Sequence, residues 1–525
     1  MRPSALLVPL VLLLTACSAV TQPASPDRAA GAASAPVAAS PSAVPSPDAS
    51  PSSSPPRPTP SPRLVAELAV GVEPVRVVSG QAAGELSVAV SAVLFASSPV
   101  VVVVGEGGPV SEAAGRAVEL GAPVLVVPPA GAPAGGADVE LARLSPRSVL
   151  AVGPGALGWA ERLEDVDVVI DPADLPATST PAPAAGTAVL LAPGEASEAA
   201  AATARAAGAQ VLAVPGGDPR GSAEVVARLA ELAPTQVLGV GTAFGPVDRF
   251  AARVATAVTG VQLPGGGQLV LPGKRYVALY GHPGSRSLGV LGEQGPDASV
   301  GRSVELATQY AQLDPGTAAV PTFEVIATVA DAQPGADGDY SSEATIEHLR
   351  PYVDAAARVG VYVLLDLQPG YADFLSQARI YEELLLQPHV GLALDPEWRL
   401  APGQQHLRQV GRVGADEVNA VGDYLATLVR DHALPQKIML LHQFRTTMLH
   451  DRERIVSDRD ELAVITQMDG NGTPSAKLDT WRTLLPAAPA GMSFGWKNFY
   501  DEDAPMLSPA DTLAVQPAPV FVSYQ

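Results

Sequence analysis

The chain has 525 residues, with 54 acidic against 33 basic side chains and a net charge of −21, so it offers no electrostatic footprint for nucleic acid. A 47% hydrophobic composition with 17% charged residues is that of a globular protein. One cysteine in the whole sequence excludes an intrachain disulfide framework and any cysteine-based zinc or iron–sulfur centre.

In chain order, the first feature is an address label. Arg2 is followed by an almost wholly apolar run over 5–14, too short to span a bilayer and of the right length for a signal-peptide core. It ends in Leu14-Thr15-Ala16-Cys17, which resembles a bacterial lipobox, in which the cysteine becomes the lipidated new N-terminus. The resemblance implies a signal peptide over 1–16, a bilayer anchor at Cys17 and a chain displayed on the extracytoplasmic face of a bacterial membrane. Residues 18–62 are Ala, Ser, Pro and Thr with 12 prolines, a composition that buries no core; a lipidated tether is expected over 17–63. At about 3.1 Å per residue such a segment reaches roughly 140 Å.

From about residue 75 to 257, short apolar runs alternate with Ala-rich helical stretches. Val100-Val101-Val102-Val103-Val104, Val124-Leu125-Val126-Val127 and Val149-Leu150-Ala151-Val152 read as strands of a parallel sheet covered on both faces. The order then recurs. Gly105-Glu106 matches Gly194-Glu195, Ser111-Glu112-Ala113-Ala114 matches Ser197-Glu198-Ala199-Ala200, and Gly121 to Pro128 matches Gly208 to Pro215, at offsets of 86 to 89 residues. A duplicated, Rossmann-like parallel-sheet unit is expected over 64–262. This pattern resembles the type 2 cell wall-binding repeat of bacterial surface proteins, which implies association with a wall polysaccharide.

After Gly265-Gly266-Gly267 and Pro272-Gly273 the composition changes, and the repeats are expected to separate from the rest near 260–274. All seven histidines and three of the four tryptophans follow. Strands are expected at 275–280, 322–329, 361–367, 390–394, 437–442, 462–468, 492–498 and 519–524. Helices are expected at 303–313, 342–359, 371–386, 415–432, 446–456, 475–484 and 508–514. Alternation of this kind over 274–525 counts out as a (β/α)8 TIM-type barrel without its eighth helix.

Chemistry in such barrels sits at the C-terminal ends of the strands. Those ends carry Asp366, Asp395, Glu397 and Asp469 among His282, Trp398, His442, Gln443, Trp496, Tyr500 and Tyr524. Carboxylates among aromatic rings are the furniture of a sugar site, because rings stack on sugar faces and a carboxyl pair serves the glycosidic bond. The stretch Val390 to Glu397 resembles the end of strand four in chitinase-type glycoside hydrolases, Asp-Gly-x-Asp-x-Asp-x-Glu, with Gly391, Asp395 and Glu397 at matching positions and Val390 and Ala393 in place of two aspartates. It also resembles the Leu-Asp-x-Glu strand of lysozyme-like muramidases. These resemblances imply that Glu397 is the general acid/base and Asp395 its orienting partner; Asp469 after Met468 matches the Met-x-Tyr-Asp end of strand six without its tyrosine.

Two readings stay open: an exported lipoprotein that hydrolyses a glycan, and one that binds a glycan or wall polymer with a degenerate barrel. Asp395 paired with Arg399 or Arg445 would favour the second. No cofactor is expected. His282 and His442 with Asp366 or Asp469 have the residue types of a metal site, but strand one lacks a His-x-His pair and no metal is expected. If Cys17 is the anchor, Cys17→Ser moves the protein from the membrane fraction to the soluble fraction on cell fractionation; unchanged membrane retention contradicts it.

Overall fold

A computed structural model of the chain describes residues 63–525 except 70, 72, 130, 133–135, 184–185 and 487. The expected signal peptide, Cys17 and almost all of the expected tether lie outside the described residues. No described helix is long and apolar enough to cross a membrane.

The chain enters through β1 (Val75–Val78) and α1 (Ala83–Leu94), then runs β2 (Val100–Gly105), α2 (Val110–Leu120), β3 (Val124–Val127), α3 (Gly136–Leu144), β4 (Ser148–Val152), α4 (Pro154–Ala160) and β5 (Asp167–Val169). The five valines of β2 are at most 1% exposed, which is what a strand covered on both faces requires. α2 begins after Pro109, carries Glu112 in its first turn and stops at Gly121, whose φ of 61° is left-handed and lets its N–H cap the Ala117 carbonyl. The four strands form a parallel sheet in the order β3-β2-β4-β5.

A second four-stranded parallel sheet follows from β6 (Thr187–Leu191), α5 (Glu198–Ala206), β7 (Gln210–Ala213), α6 (Ala223–Leu232), β8 (Gln236–Val240) and α7 (Val247–Ala257). Its order is β7-β6-β8-β1, so the fourth strand is supplied by the segment that precedes the first sheet. The two sheets are thereby interlocked. The outer edge of β3 is also closed by helix side chains: the Val124 N–H donates to Thr203 Oγ1 on α5 at 3.1 Å, and the Val126 N–H to Ser87 Oγ on α1 at 3.0 Å.

The remainder closes into a barrel of eight parallel strands: β9 (Lys274–Gly281), β10 (Ala318–Ala330), β11 (Tyr362–Leu367), β12 (Val390–Leu394), β13 (Lys437–Gln443), β14 (Leu462–Met468), β15 (Ser493–Asn498) and β16 (Phe521–Tyr524), with β9 paired to both β16 and β10. α8 (Pro296–Leu313), α9 (Ile346–Val359), α10 (Phe374–Ile380), α11 (Ala415–Asp431), α12 (Pro474–Leu484) and α13 (Pro509–Leu513) connect them. The fold class is therefore α/β, with a TIM-type barrel.

Two expected helices differ. The helix over 371–386 breaks at Tyr381, whose hydroxyl donates to the carbonyls of Ala327 (2.8 Å) and Ala344 (3.0 Å); this tertiary anchor overrides local propensity. The stretch 446–456 forms two 3-10 turns and a two-residue strand. Asp451 sits at φ 54°, and Arg452 turns inward to bond the Leu484 carbonyl.

Inside the barrel, the floor is apolar: Tyr276, Ala278, Val320, Tyr362, Leu364, Ala393, Ile438, Leu440, Ile465 and Phe521 pack together. Leu263 and Val270 of the connecting segment join this cluster. Gln268 between them is fully buried and bonds the carbonyls of Thr256 and Val261. The segment at which the repeats were expected to separate is thus packed against the base of the barrel. Beside it, Asp460 in the loop before β14 meets Arg253 (2.7 Å), Arg249 (2.5 Å) and Arg220 (3.2 Å) from the second sheet's elements.

Burial alone would raise the Asp460 carboxyl, but the hydrogen bonds from Arg253 and Arg249 and the charge of Arg220 hold it far below the usual range. A depressed carboxyl stabilises the fold at every pH above its unfolded value and loses that contribution only as pH falls through the lower folded value. Asp460→Asn is expected to cost about 2–3 kcal/mol at pH 7, by the loss of one partner from a partly buried ion cluster. In urea unfolding the gap from wild type should hold down to about pH 4 and narrow only in stronger acid. A gap that closes between pH 7 and 5 contradicts this.

Candidate functional site

Strand alternation places every second side chain inside the barrel. Above the apolar floor, each strand presents one polar side chain inward: Tyr280 (β9), Glu324 (β10), Asp366 (β11), Asp395 (just past β12), His442 (β13), Gln467 (β14), Lys497 (β15) and Ser523 (β16). All eight are at most 3% exposed.

His442 is the hub. Its Nε2 lies 2.7 Å from Glu324 Oε1 in a hydrogen bond, and its Nδ1 lies 2.8 Å from Asp469 Oδ2 and 3.6 Å from Asp395 Oδ2. Lys497 Nζ stands 3.1 Å from Asp469 Oδ1 and 3.5 Å above the Tyr280 ring, and the Tyr280 hydroxyl donates to Asp366 Oδ2 at 3.0 Å. Four carboxyl groups thus meet one lysine and one histidine.

Glu397 reaches the mouth on a turn that follows β12. β12 ends at Leu394, and Asp395 caps a 3-10 turn, Pro396–Trp398, accepting the Glu397 N–H at 3.3 Å. Asp395 keeps the inward side of β12, and the turn after it brings Glu397 to the mouth. Neither postulated arginine pairs with Asp395: Arg399 is bonded to Glu417 at 3.0 Å, and Arg445 stacks at 5.5 Å on Phe444.

The charge imbalance shows in proton affinities. Burial, aided by Asp395 and Glu324 against the opposing charge of His442, pushes Asp366 up to about 8. Burial and the neighbouring Asp395 and Asp469 push Glu397 up to about 9. Asp469 goes the other way: burial disfavours its charge, but Lys497 and His442 outweigh it and hold the carboxyl below its usual range. Burial likewise opposes charge on His442, and Asp366, Asp469 and Asp395 overcome it, so the ring binds a second proton firmly unless another cation meets those carboxylates.

Above this tier opens a cleft of about 610 Å³. Glu397, Asp469, Tyr280 and Lys497 contribute to its lining, with Trp398, Phe444 and Phe499 as aromatic walls and Arg445 and Glu502 also present. Glu397, Asp395 and Asp469 each bring one carboxylate oxygen within 4.8 Å of the others.

The expected acids Asp366, Asp395, Glu397 and Asp469 are brought together, with Asp366 and Asp395 below the cleft. Trp398 lines it. The other expected contacts lie elsewhere. Trp496 is fully buried on the outer face of β15 against Trp481, its Nε1–H bonded to Asn498. Tyr524 points outward from β16 and shares a 2.6 Å hydrogen bond with Tyr310 of α8. His282 is half-buried, bonded to the Ile326 carbonyl and stacked on His348. Gln443 faces away beside His442, and Tyr500 lies outside the lining with Arg302 over its ring. His442 is itself too deep to touch a sugar. Sequence reasoning assigned no role to Lys497, Glu324 or Tyr280. The signal available for Lys497 was parity: counting inward from the apolar floor of β15 lands on Gly495 and Lys497, one residue from the tryptophan.

No protein-family model matches the chain, and no curated protein matches it at a significant level.

Among the described residues, Lys497 is the lysine ion-paired with these carboxylates, and it is 2% exposed. Lys497→Met leaves their charge uncompensated and is expected to cost about 3–5 kcal/mol in urea unfolding at pH 7. Trp481 and Trp496, both packed beside β15, provide the fluorescence signal. A loss under about 1 kcal/mol would show that the charges are balanced without it.

Proposed function

We propose that the barrel mouth binds a glycan and hydrolyses it, in a chain anchored outside the cell membrane through lipidated Cys17. One observation carries this reading: the Glu397 and Asp469 carboxyls meet within 4.8 Å in a cleft walled by Trp398, Phe444 and Phe499, at the C-terminal ends of barrel strands. Aromatic walls take sugar faces, and a carboxyl pair whose oxygens lie closer together than the roughly 6.5–9.5 Å of an inverting enzyme suits a double-displacement glycosidase.

In this scheme Glu397, half-buried and crowded by like charges, gives its proton to the leaving glycosidic oxygen. Asp469, ionised by Lys497 and His442, attacks the anomeric carbon on the opposite side. Water, activated by the now ionised Glu397, then releases the sugar with its configuration retained. Asp395 orients Glu397 through the cap of its turn. The tether sets the barrel away from the bilayer, and the paired sheets, by their resemblance to cell wall-binding repeats, hold it against wall polysaccharide.

A second reading, glycan binding without cleavage, draws on the two aspartates replaced by Val390 and Ala393 and on the engagement of both Asp469 oxygens by cations. One experiment separates them. Against a glycan selected by array binding, Glu397→Gln should retain affinity and lose on the order of 10²-fold or more in kcat, and the wild-type product should keep its anomeric configuration by NMR. Wild-type turnover by the variant removes Glu397 as the acid. Tight binding with no cleavage by the wild type leaves the binding reading.

A further inference from the structure

Charge is unevenly matched around the barrel mouth. Arg399, on the loop after β12, is neutralised by Glu417 at 3.0 Å. Arg445 lines the cleft just past the end of β13, is exposed, and has no ion-pair partner among the described residues. Its guanidinium carbon stands 5.5 Å from the centre of the Phe444 ring, one of the aromatic walls. Arg412 is exposed and likewise without an acidic partner among the described residues. It follows Gly411, whose N–H donates to the Glu397 carbonyl at 2.7 Å. The β12–β13 side of the mouth, which supplies Trp398 and Phe444, therefore carries uncompensated positive charge. Glu502, the acid of the lining that stands outside the central group, lies on the loop after β15.

The backbone that presents Arg445 is fixed. The residue is extended at the head of a 3-10 turn, Thr446–Met448, and the amide of buried Gln443 donates to its carbonyl at 3.1 Å. A guanidinium without a protein partner offers a planar fork of N–H donors, which matches the paired oxygens of a carboxylate better than a single hydroxyl. A sugar laid against an aromatic wall holds the substituent on C5 at the edge of its ring, free to meet a group beside that wall. In a hexuronic acid this substituent is a carboxylate. The net charge of −21 does not oppose such a contact at close range, because exposed charges more than about 8 Å away are largely screened at physiological ionic strength.

We infer that the cleft takes an acidic glycan, one with a uronic sugar, and that Arg445 reads the carboxylate of that sugar. The inference rests on the glycan reading and deepens it by naming the substrate class. Arg445 sets specificity and touches no reacting atom, so Glu397 and Asp469 keep their roles. A charge-assisted, bidentate pair of this kind separates an acidic sugar from its neutral counterpart by about tenfold or more.

The test is binding of the full chain to an array of glucuronate- and galacturonate-containing oligosaccharides, each beside its carboxyl-reduced counterpart, with titration calorimetry on the pair that binds best. Loss of binding in Trp398→Ala places the ligand in the barrel cleft and not on the paired sheets. Wild type should prefer the acidic form by about tenfold or more. Arg445→Gln should cut that preference to under about threefold while leaving affinity for the reduced form unchanged, whereas a merely structural role would lower both. Arg445→Lys, which keeps the charge and loses the fork, should fall between them. Circular dichroism establishes that each variant is folded. Equal affinity for the two forms in wild type, or a preference that Arg445→Gln leaves intact, overturns this inference alone and leaves the glycan reading standing. Binding of neither form in the cleft overturns both.

Discussion

Eight strands closing on one axis must fill a narrow space, and in this barrel the upper part of that space is filled with charge. The close approach of His442 to Glu324 and Asp469 ties β13 to β10 and to the end of β14, and Lys497 ties β15 to the same aspartate. Charges buried to this degree are costly unless each meets its opposite, so the positions of these side chains are mutually dependent. The apolar tier beneath them supplies the stability that tolerates such a layer. Leu263 and Val270, arriving from the connecting segment, extend that tier at its base.

Charge then dictates chemistry at the mouth. With two cations committed to Asp469, the negative field falls on Asp366 and Glu397, which take the opposite protonation behaviour from Asp469. Neighbouring carboxyls pushed apart in this way have the division of labour that acid–base catalysis uses. The cap at Asp395 matters for the same reason: Pro396 ends the strand and the turn swings Glu397 from the packed interior to the cleft wall, where a leaving group is within reach.

Much of this was legible in the sequence, and the failures share one cause. Continuous apolar runs such as Val390–Leu394 and Leu462–Met468 mark buried strands, and their observed bounds match the expected ones. Strand ends were therefore readable, and with them the acids Asp366, Asp395, Glu397 and Asp469. Which of two adjacent residues faces inward was not. Trp496 and Tyr524 attract attention as aromatic residues, yet Lys497 and Ser523 are the inward neighbours, because parity depends on a register that pairing partners set. Glu324 falls near the start of the expected strand at 322–329, but β10 begins at Ala318 and its register sets Glu324 opposite Tyr280. Arg452 illustrates the other limit, since only the distant Leu484 carbonyl explains why 446–456 is not helical.

The claim on which the account rests is that this charged tier serves a ligand in the cleft above it. A crystal structure of the full chain with an oligosaccharide it selects from a glycan array tests that directly. The account predicts a sugar ring against Trp398 or Phe444, with a glycosidic oxygen about 3 Å from the Glu397 carboxyl. Oligosaccharide bound only on the paired sheets, with the barrel cleft holding none, contradicts it.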